Sequence, residues 1–177
     1  MIDKKIIDNA IRKVKDFPKK GILFYDITGL LINPSAFNYC IKKMIELYEG
    51  KGIKRIAAIE ARGFLFASPL AYHLGLPITL VRKKNKLPGE TIKKNYSLEY
   101  GEDSIEIHKS DVIPGEKVLV VDDLLATGGT MRATCELIES VGAEIEEIFA
   151  VIGLPFLNYK KTLSKYKINT FIEYNEE

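Results

Sequence analysis

The stretch with the most chemistry in it is Val120-Val121-Asp122-Asp123-Leu124-Leu125-Ala126-Thr127-Gly128-Gly129-Thr130. An apolar run leads into two adjacent acids, then into a turn of small residues, then directly into a helical pattern. Small residues let backbone N–H groups approach an anion, the hydroxyls of Thr127 and Thr130 add donors, and a helix start adds a favourable dipole. Ala126, Thr127, Gly128, Gly129 and Thr130 therefore suit a phosphomonoester. This is not the nucleotide triphosphate loop, because GxxxxGK[ST] is missing and no lysine lies in the turn, nor is it the GxGxxG fingerprint. The plain alternative is an ordinary strand-to-helix connection with Thr130 as the helix cap. Asp122 and Asp123 suit two vicinal ribose hydroxyls, or Mg²⁺ held through water. For one of the two, a simple Asx turn is the competing reading.

Two other stretches carry charge suited to phosphates. In Glu60-Ala61-Arg62-Gly63, which follows a strand-like run, Arg62 could grip phosphate oxygens in a bidentate manner; a surface ion pair is its alternative. Arg82, Lys83, Lys84, Lys86, Lys93 and Lys94 fall in a stretch whose only acid is Glu90, a local excess of five positive charges in a chain whose total is +2. Such a concentration fits a polyanionic ligand. A solvated cationic loop is the ordinary reading, and Lys84, Lys93 and Lys94 are taken that way.

These residues need a scaffold, and the pattern supplies one. Apolar residues at helical spacing predict a helix over the first fifteen residues, with a Gly- and Pro-containing loop from Phe17 to about Leu31. Asn33 and Pro34 open a helix whose apolar face is Phe37, Cys40, Ile41, Met44, Ile45 and Tyr48. Buried strands are predicted over Arg55 to Glu60, Pro77 to Arg82, Lys117 to Asp122, Ile145 to Ile152 and Ile168 to Tyr174. Helices lie between them, from about Gly63 to Leu74 and from Met131 to Val141. Short apolar strands separated by helices predict an α/β fold: one domain over 1–177 with a central, mostly parallel sheet flanked by helices. Ligands of such sheets bind beyond the carboxyl ends of the strands, which is where the three charged stretches fall. Residues 83–110 break the alternation; Tyr96, Leu98 and Tyr100 alternate, as do Ile105 and Ile107, predicting a projecting β-hairpin that acts as a flexible lid.

Composition narrows the rest. With 177 residues, 46% hydrophobic and 28% charged, the chain has the profile of an ordinary globular domain rather than a disordered or fibrous one. A net charge of +2 gives no reason to expect nucleic acid or a membrane as partner. No apolar run approaches the roughly 20 residues of a bilayer span. The start MIDKKIIDNAIRK lacks an apolar signal core. Cys40 and Cys135 lie far apart and read as buried, reduced thiols of a cytoplasmic protein. His73 and His108 have no metal-ligand spacing.

VVDDLLATGGT is similar to the phosphoribosyl pyrophosphate (PRPP) motif of type I phosphoribosyltransferases, in the form typical of the adenine-using members. Asp16-Phe17-Pro18-Lys19 through Asp26-Ile27-Thr28, Ala61-Arg62-Gly63-Phe64, Arg82-Lys83, Leu87-Pro88-Gly89 and Tyr96-Ser97-Leu98-Glu99-Tyr100-Gly101 resemble the same family and occur in its order. The resemblance implies purine salvage: adenine plus PRPP giving AMP and pyrophosphate, with Mg²⁺, in a homodimer. It implies that Glu60, Ala61, Arg62 and Gly63 form a pyrophosphate loop with a cis peptide at Glu60–Ala61. A base at Arg82 or Lys83 would reach the same pyrophosphate, often from the neighbouring subunit. Residues 1–33 would recognise the base, the backbone at Leu23 and Tyr25 reading adenine's edge and Phe24 stacking on it, although a core aromatic is the competing reading for Phe24. Glu99 would serve as acid or base near the purine, Tyr100 would cover it, and Arg62, Asp122 and Asp123 would complete the catalytic set. A solvent-facing strand residue is the alternative for Glu99. Relatives carry either Ser or Ala at position 61, and Ala61 lacks the hydroxyl, so a phosphate contact there would be through backbone; Tyr25 departs from the Arg that relatives often have. A phosphoribosyltransferase for another nucleobase and a PRPP-sensing regulator of the same fold are the competing functions.

Overall fold

Asp3 caps a first helix, α1 (Lys4–Asp8), by accepting a hydrogen bond from the Lys5 N–H at 3.0 Å. The helix stops there. Residues 12–15 form β1 (Arg12–Lys15), paired antiparallel with β2 (Leu23–Asp26) from Arg12↔Asp26 to Lys15↔Leu23. The helix predicted for the first fifteen residues is therefore half a helix and half a strand. The apolar period that suggested it is real at Ile7, Ala10 and Ile11, which are buried, but Val14 is exposed on the ladder. The predicted loop likewise contains β2 and a short α2 (Thr28–Leu31). Pairing between the two arms of a hairpin outweighed the local helical spacing.

The remainder follows the predicted alternation. The computed structural model, which describes residues 2–98 and 101–175, continues with α3 (Pro34–Tyr48), β3 (Arg55–Ile59), α4 (Gly63–Leu74), β4 (Ile78–Lys83), β5 (Thr91–Leu98), β6 (Gly101–His108), β7 (Lys117–Leu125), α5 (Gly129–Ser140), β8 (Glu144–Gly153), α6 (Tyr159–Thr162) and β9 (Ile168–Glu173). Asn33 caps α3 through its side chain to the Ala36 N–H, and Gly75 ends α4 in the left-handed conformation at φ 64°. The sheet order is β5-β6-β4-β3-β7-β8-β9, with β4, β3, β7, β8 and β9 parallel and the β5–β6 hairpin antiparallel on the edge. Side chains alternate between two cores: Ile56, Ala58, Leu119 and Val121 face one cluster with α3 and α4, while Ala57, Ile59, Val118 and Val120 face the other with α5.

Two features of this topology set up the crevice. The chain leaves β3 toward β4 on one side and builds β7, β8 and β9 on the other, so strand order reverses between β3 and β7, where ligands of open α/β sheets bind. Pairing of β3 with β7 ends at Ala58↔Val121, whereas β7 stays paired with β8 as far as Leu125↔Gly153. Asp122 and Asp123 thus lie on a strand that is supported on one side and open on the other.

The N-terminal pair is fastened to the far edge. The Tyr25 ring stacks on Tyr174 with centroids 4.0 Å apart, the Tyr174 hydroxyl donates to Asp8 at 2.6 Å, and Lys13 pairs with Asp8 at 2.8 Å. At the centre, Gly63 lets α4 touch β7. A Cβ there would lie 2.7 Å from the Val121 carbonyl oxygen and 3.2 Å from the Asp122 Cα. Gly63→Ala should therefore lower stability by about 1–3 kcal/mol through overpacking, a fall in Tm of roughly 3–10 °C by calorimetry; an unchanged Tm would show that the helix does not press on the strand this closely.

Candidate active site

The loop after β3 makes a cis peptide at Glu60–Ala61 and delivers Arg62 to the cap position of α4. From there the Arg62 Nε lies 2.7 Å from Asp123 Oδ2. Asp123 is almost fully buried, and Asp122 Oδ1 accepts a hydrogen bond from the Asp123 N–H at 2.8 Å. Both carboxyls titrate above the ordinary aspartate range. Burial is the main cause for Asp122, with the Asp123 charge adding to it. For Asp123 burial again leads, opposed by the Arg62 guanidinium. The contact is an ion pair by distance, Asp123 Oδ2 having no hydrogen-bond partner among the described residues, and the Arg62 side chain is 46% exposed, so its donors remain for an anion.

The turn after β7 bends at Gly128, whose φ is +81°. Leu163 would also lie 3.2 Å from a Cβ at that position, so conformation and close packing both require glycine. Gly128, not Thr130, occupies the cap position of α5, and no side chain caps the helix. The hydroxyls of Thr127, exposed, and Thr130, half-buried, are not committed to capping. A hollow of about 100 Å³ runs along this turn from Asp122 through Thr127 to Met131. Beside it a cleft of about 220 Å³ is lined by Glu60, Lys83, Tyr96, Asp103, Asp122 and Thr130, among others. The two spaces share Asp122 and Thr130.

Arg82 and Lys83 lie on the opposite wall. Glu60 accepts from Arg82 Nε and Nη2, each at 3.2 Å, and from the Lys83 N–H at 2.9 Å. Hydrogen bonding from Arg82 holds the Glu60 carboxyl below its usual range. Arg82 Nη1 donates to the Lys86 carbonyl at 3.2 Å. Its guanidinium is thus oriented by protein on three nitrogens, while Lys83 Nζ, 62% exposed, has only a loose contact with Asp103 at 3.7 Å. Lys93 and Lys94, read from sequence as solvated, are instead ion-paired with Glu106 at 3.3 Å and Glu136 at 3.0 Å. The second of these pins the hairpin to α5.

In the N-terminal segment, Leu23 and Phe24 are half-buried, and Phe24 meets Phe17 edge-on at 5.1 Å. Tyr25 is buried against Tyr174. Among the described residues β2 has a strand partner on one side only. An antiparallel edge strand turns alternate backbone N–H and C=O groups outward, which suits reading a planar ligand by main chain. Glu99 and Tyr100 lie outside the described residues; the hairpin that carries them is paired from Thr91↔His108 to Leu98↔Gly101.

Sequence reasoning assigned no role to Asp26 or Glu106. Asp26 accepts from the Thr28 N–H and hydroxyl, pairs with Arg12 at 3.8 Å, and is held below its usual range first by Thr28, with Arg62 contributing. Among the described residues its contacts are all within the N-terminal segment, and its Asp-x-Thr spacing was a readable signal. Glu106 sits between Ile105 and Ile107, where alternation places it toward solvent, yet it is 1% exposed. The lysine-rich stretch opposite, in need of a counter-ion, was the only hint. Cys40 and Cys135 are buried and free, with burial pushing the Cys40 thiol up to about 12. Among the described residues no group of three or more His, Cys, Asp or Glu could hold a metal ion, and no helix is long and apolar enough to cross a membrane.

This arrangement has relatives. A family model described as a phosphoribosyl transferase domain matches residues 27–173. A Treponema denticola protein named adenine phosphoribosyltransferase is 58% identical over 173 residues, 98% of this chain and 91% of that one. The crystal structure of adenine phosphoribosyltransferase from Thermoanaerobacter pseudethanolicus superposes with a TM-score of 0.92 at 49% identity, covering 97% of this chain and 99% of that one. The Saccharomyces cerevisiae enzyme, solved with adenine and an imino-altritol bisphosphate, superposes with a TM-score of 0.89 at 36% identity over 96% of this chain and 98% of its own. With its reversed strand order, acid pair and small-residue turn, the chain belongs to the phosphoribosyltransferase family, among the adenine phosphoribosyltransferases.

Proposed function

We propose that this chain transfers the 5-phosphoribosyl group of PRPP to adenine, giving AMP and pyrophosphate in purine salvage. The observation that carries the reading is the shared wall of the two hollows: Asp122 and Thr130 border both, so a sugar next to the acid pair can have its 5′-phosphate in the turn. Residues 126–130 take that phosphate through main-chain N–H groups and the two threonine hydroxyls. The remaining donors of Arg62 and the Lys83 ammonium take the pyrophosphate, with Glu60 orienting Arg82 beside them.

Breaking the glycosidic bond puts positive charge on the sugar and negative charge on the leaving group. Asp122, which borders both hollows, accepts from the sugar's hydroxyls, and its charge with that of the buried Asp123 next to it favours the developing cation in a poorly solvated crevice. Glu99 receives the proton that adenine's imidazole ring loses on attack, and closure of the hairpin keeps water from the cation. The backbone at Leu23 and Tyr25 reads the base while Phe24 covers its face. The acid pair offers hard oxygens but no cage, which suits a Mg²⁺ that arrives with PRPP and meets Asp122 or Asp123 through water. Such an ion would neutralise pyrophosphate charge as it leaves. A homodimer in the cytoplasm is part of the same reading, supported by the exposed apolar side chains Leu65, Tyr72 and Leu80 and by the two free thiols.

Mixing the protein with Mg²⁺, PRPP and adenine should yield AMP, with hypoxanthine and guanine turned over at least about a hundredfold less efficiently. PRPP binding without AMP would replace the enzyme by a PRPP sensor. Glu99→Ala should lower kcat by about 10²–10⁴-fold while leaving PRPP affinity within about twofold; an unchanged kcat refutes its role. Asp122→Asn addresses the cost of the buried charge. Below the ordinary value of 3.8 the carboxyl is protonated folded or unfolded, and burial adds no penalty. As pH climbs through its raised folded value the penalty grows and stability is lost. The variant should therefore melt higher than the parent at about pH 7 and equally near pH 3, yet lose at least about a hundredfold in kcat/KM. Parallel melting curves at both pH values with unchanged turnover would remove Asp122 from the site.

A further inference from the structure

Glu106 is a carboxylate buried to 1% exposure, placed where the ladder sets two basic residues beside it. It stands opposite Arg82 on β4 and Lys93 on β5. Its Oε1 accepts from the backbone N–H groups of Lys86 at 2.8 Å and Leu87 at 2.9 Å, and its Oε2 lies 3.3 Å from Lys93 Nζ. Burial alone would raise this carboxyl, but the two amides and Lys93 outweigh it and hold it below the usual glutamate range. The turn it grips is the one whose Lys86 carbonyl receives Arg82 Nη1. A chain of contacts thus runs from Glu106 to the turn at 84–87, from the turn to Arg82, and from Arg82 to Glu60 on the crevice wall.

A buried carboxylate is a costly way to stabilise a turn, since an apolar side chain at the same place would avoid desolvation. What the carboxylate adds is direction: two N–H groups accepted by a single oxygen fix the turn's orientation, and with it the acceptor that orients Arg82. We infer that Glu106 is a positioning residue for the pyrophosphate arm, holding the 84–87 turn from inside so that Arg82 and Lys83 are presented to the leaving group. This rests on the assignment of Arg82 and Lys83 to pyrophosphate made above.

The test compares Glu106→Gln with Arg82→Gln and Lys83→Gln in the full chain, reading KM for PRPP and for adenine, pyrophosphate affinity by calorimetry, and hydrogen exchange at the Lys86 and Leu87 amides. Glu106→Gln should raise KM for PRPP and weaken pyrophosphate about tenfold, leave KM for adenine within about twofold, and speed exchange at both amides by at least about tenfold. Glu106→Asp, which keeps the charge but shortens its reach, should show the same pattern more weakly, and it carries the test if the glutamine variant fails to fold. A Glu106→Gln protein with faster exchange but unchanged pyrophosphate affinity, or one losing adenine and PRPP equally, overturns the inference while leaving the arm in place. If Arg82→Gln and Lys83→Gln both bind pyrophosphate as the parent does, the arm itself is misassigned and the inference falls with it, a failure recognisable from those two variants alone.

Discussion

One guanidinium stands against a buried and a half-buried carboxylate where the sheet opens, and most of the surrounding structure can be understood as holding that imbalance in place. Arg62 reaches Asp123 at 2.7 Å only because α4 begins on top of β7, and α4 can begin there only because Gly63 has no side chain. Asp122 and Asp123 in turn remain on a strand because β8 continues to pair with β7 after β3 has turned away. A carboxylate taken out of water without full compensation weakens a fold. Here the uncompensated part is directed at the space where a sugar would become cationic. Site and instability share one origin, the familiar conflict between stability and function.

The opposite wall shows how positive charge is handled. Six bases in thirteen residues look from sequence like one basic patch. In the fold they divide by partner: Arg82 is clamped by Glu60, Lys93 by Glu106, and Lys94 by Glu136 on α5. Lys83 has the loosest of these contacts and the most exposed side chain of the paired members, which leaves its charge facing the cleft. Partner geometry, rather than charge count, separates the residues that build the arm from the one best able to meet a ligand.

What could be read from the sequence was whatever depends on local chemistry. The apolar runs of β3, β7 and β8 announce buried strands because both faces are covered, and Asn33-Pro34 announces α3 because cap and first turn have fixed requirements. The turn at 126–130 was legible for the same reason, small residues having few other uses between a strand and a helix. The N-terminal hairpin was not. Its strands are too short to show a period, and the spacing of Ile7, Ala10 and Ile11 belongs to a turn and a half of helix followed by a reversal. Glu106 was hidden because alternation assigns it to solvent, whereas the returning 84–87 turn covers it. Asp122 and Asp123 were found, but the strand was ended at Asp122; that it runs on to Leu125 depends on β8, a partner the local sequence does not reveal.

The same contacts join the hairpin to the phosphate turn. Tyr96 on β5 borders the cleft with Thr130, its hydroxyl 3.3 Å from Asp103 Oδ2, and burial raises its phenol above the usual range. Two residues earlier, Lys94 ties the strand to Glu136, further along α5. The strand leading toward residue 99 is therefore tied to the helix that follows the turn at 126–130, so turn and hairpin share a footing. An acid on a hairpin with its own independent base could find the purine only by chance orientation. In the proposed function, an acid beyond a strand anchored beside the turn given to the 5′-phosphate would start from a position set relative to the sugar, the geometric condition that makes intramolecular proton transfer efficient.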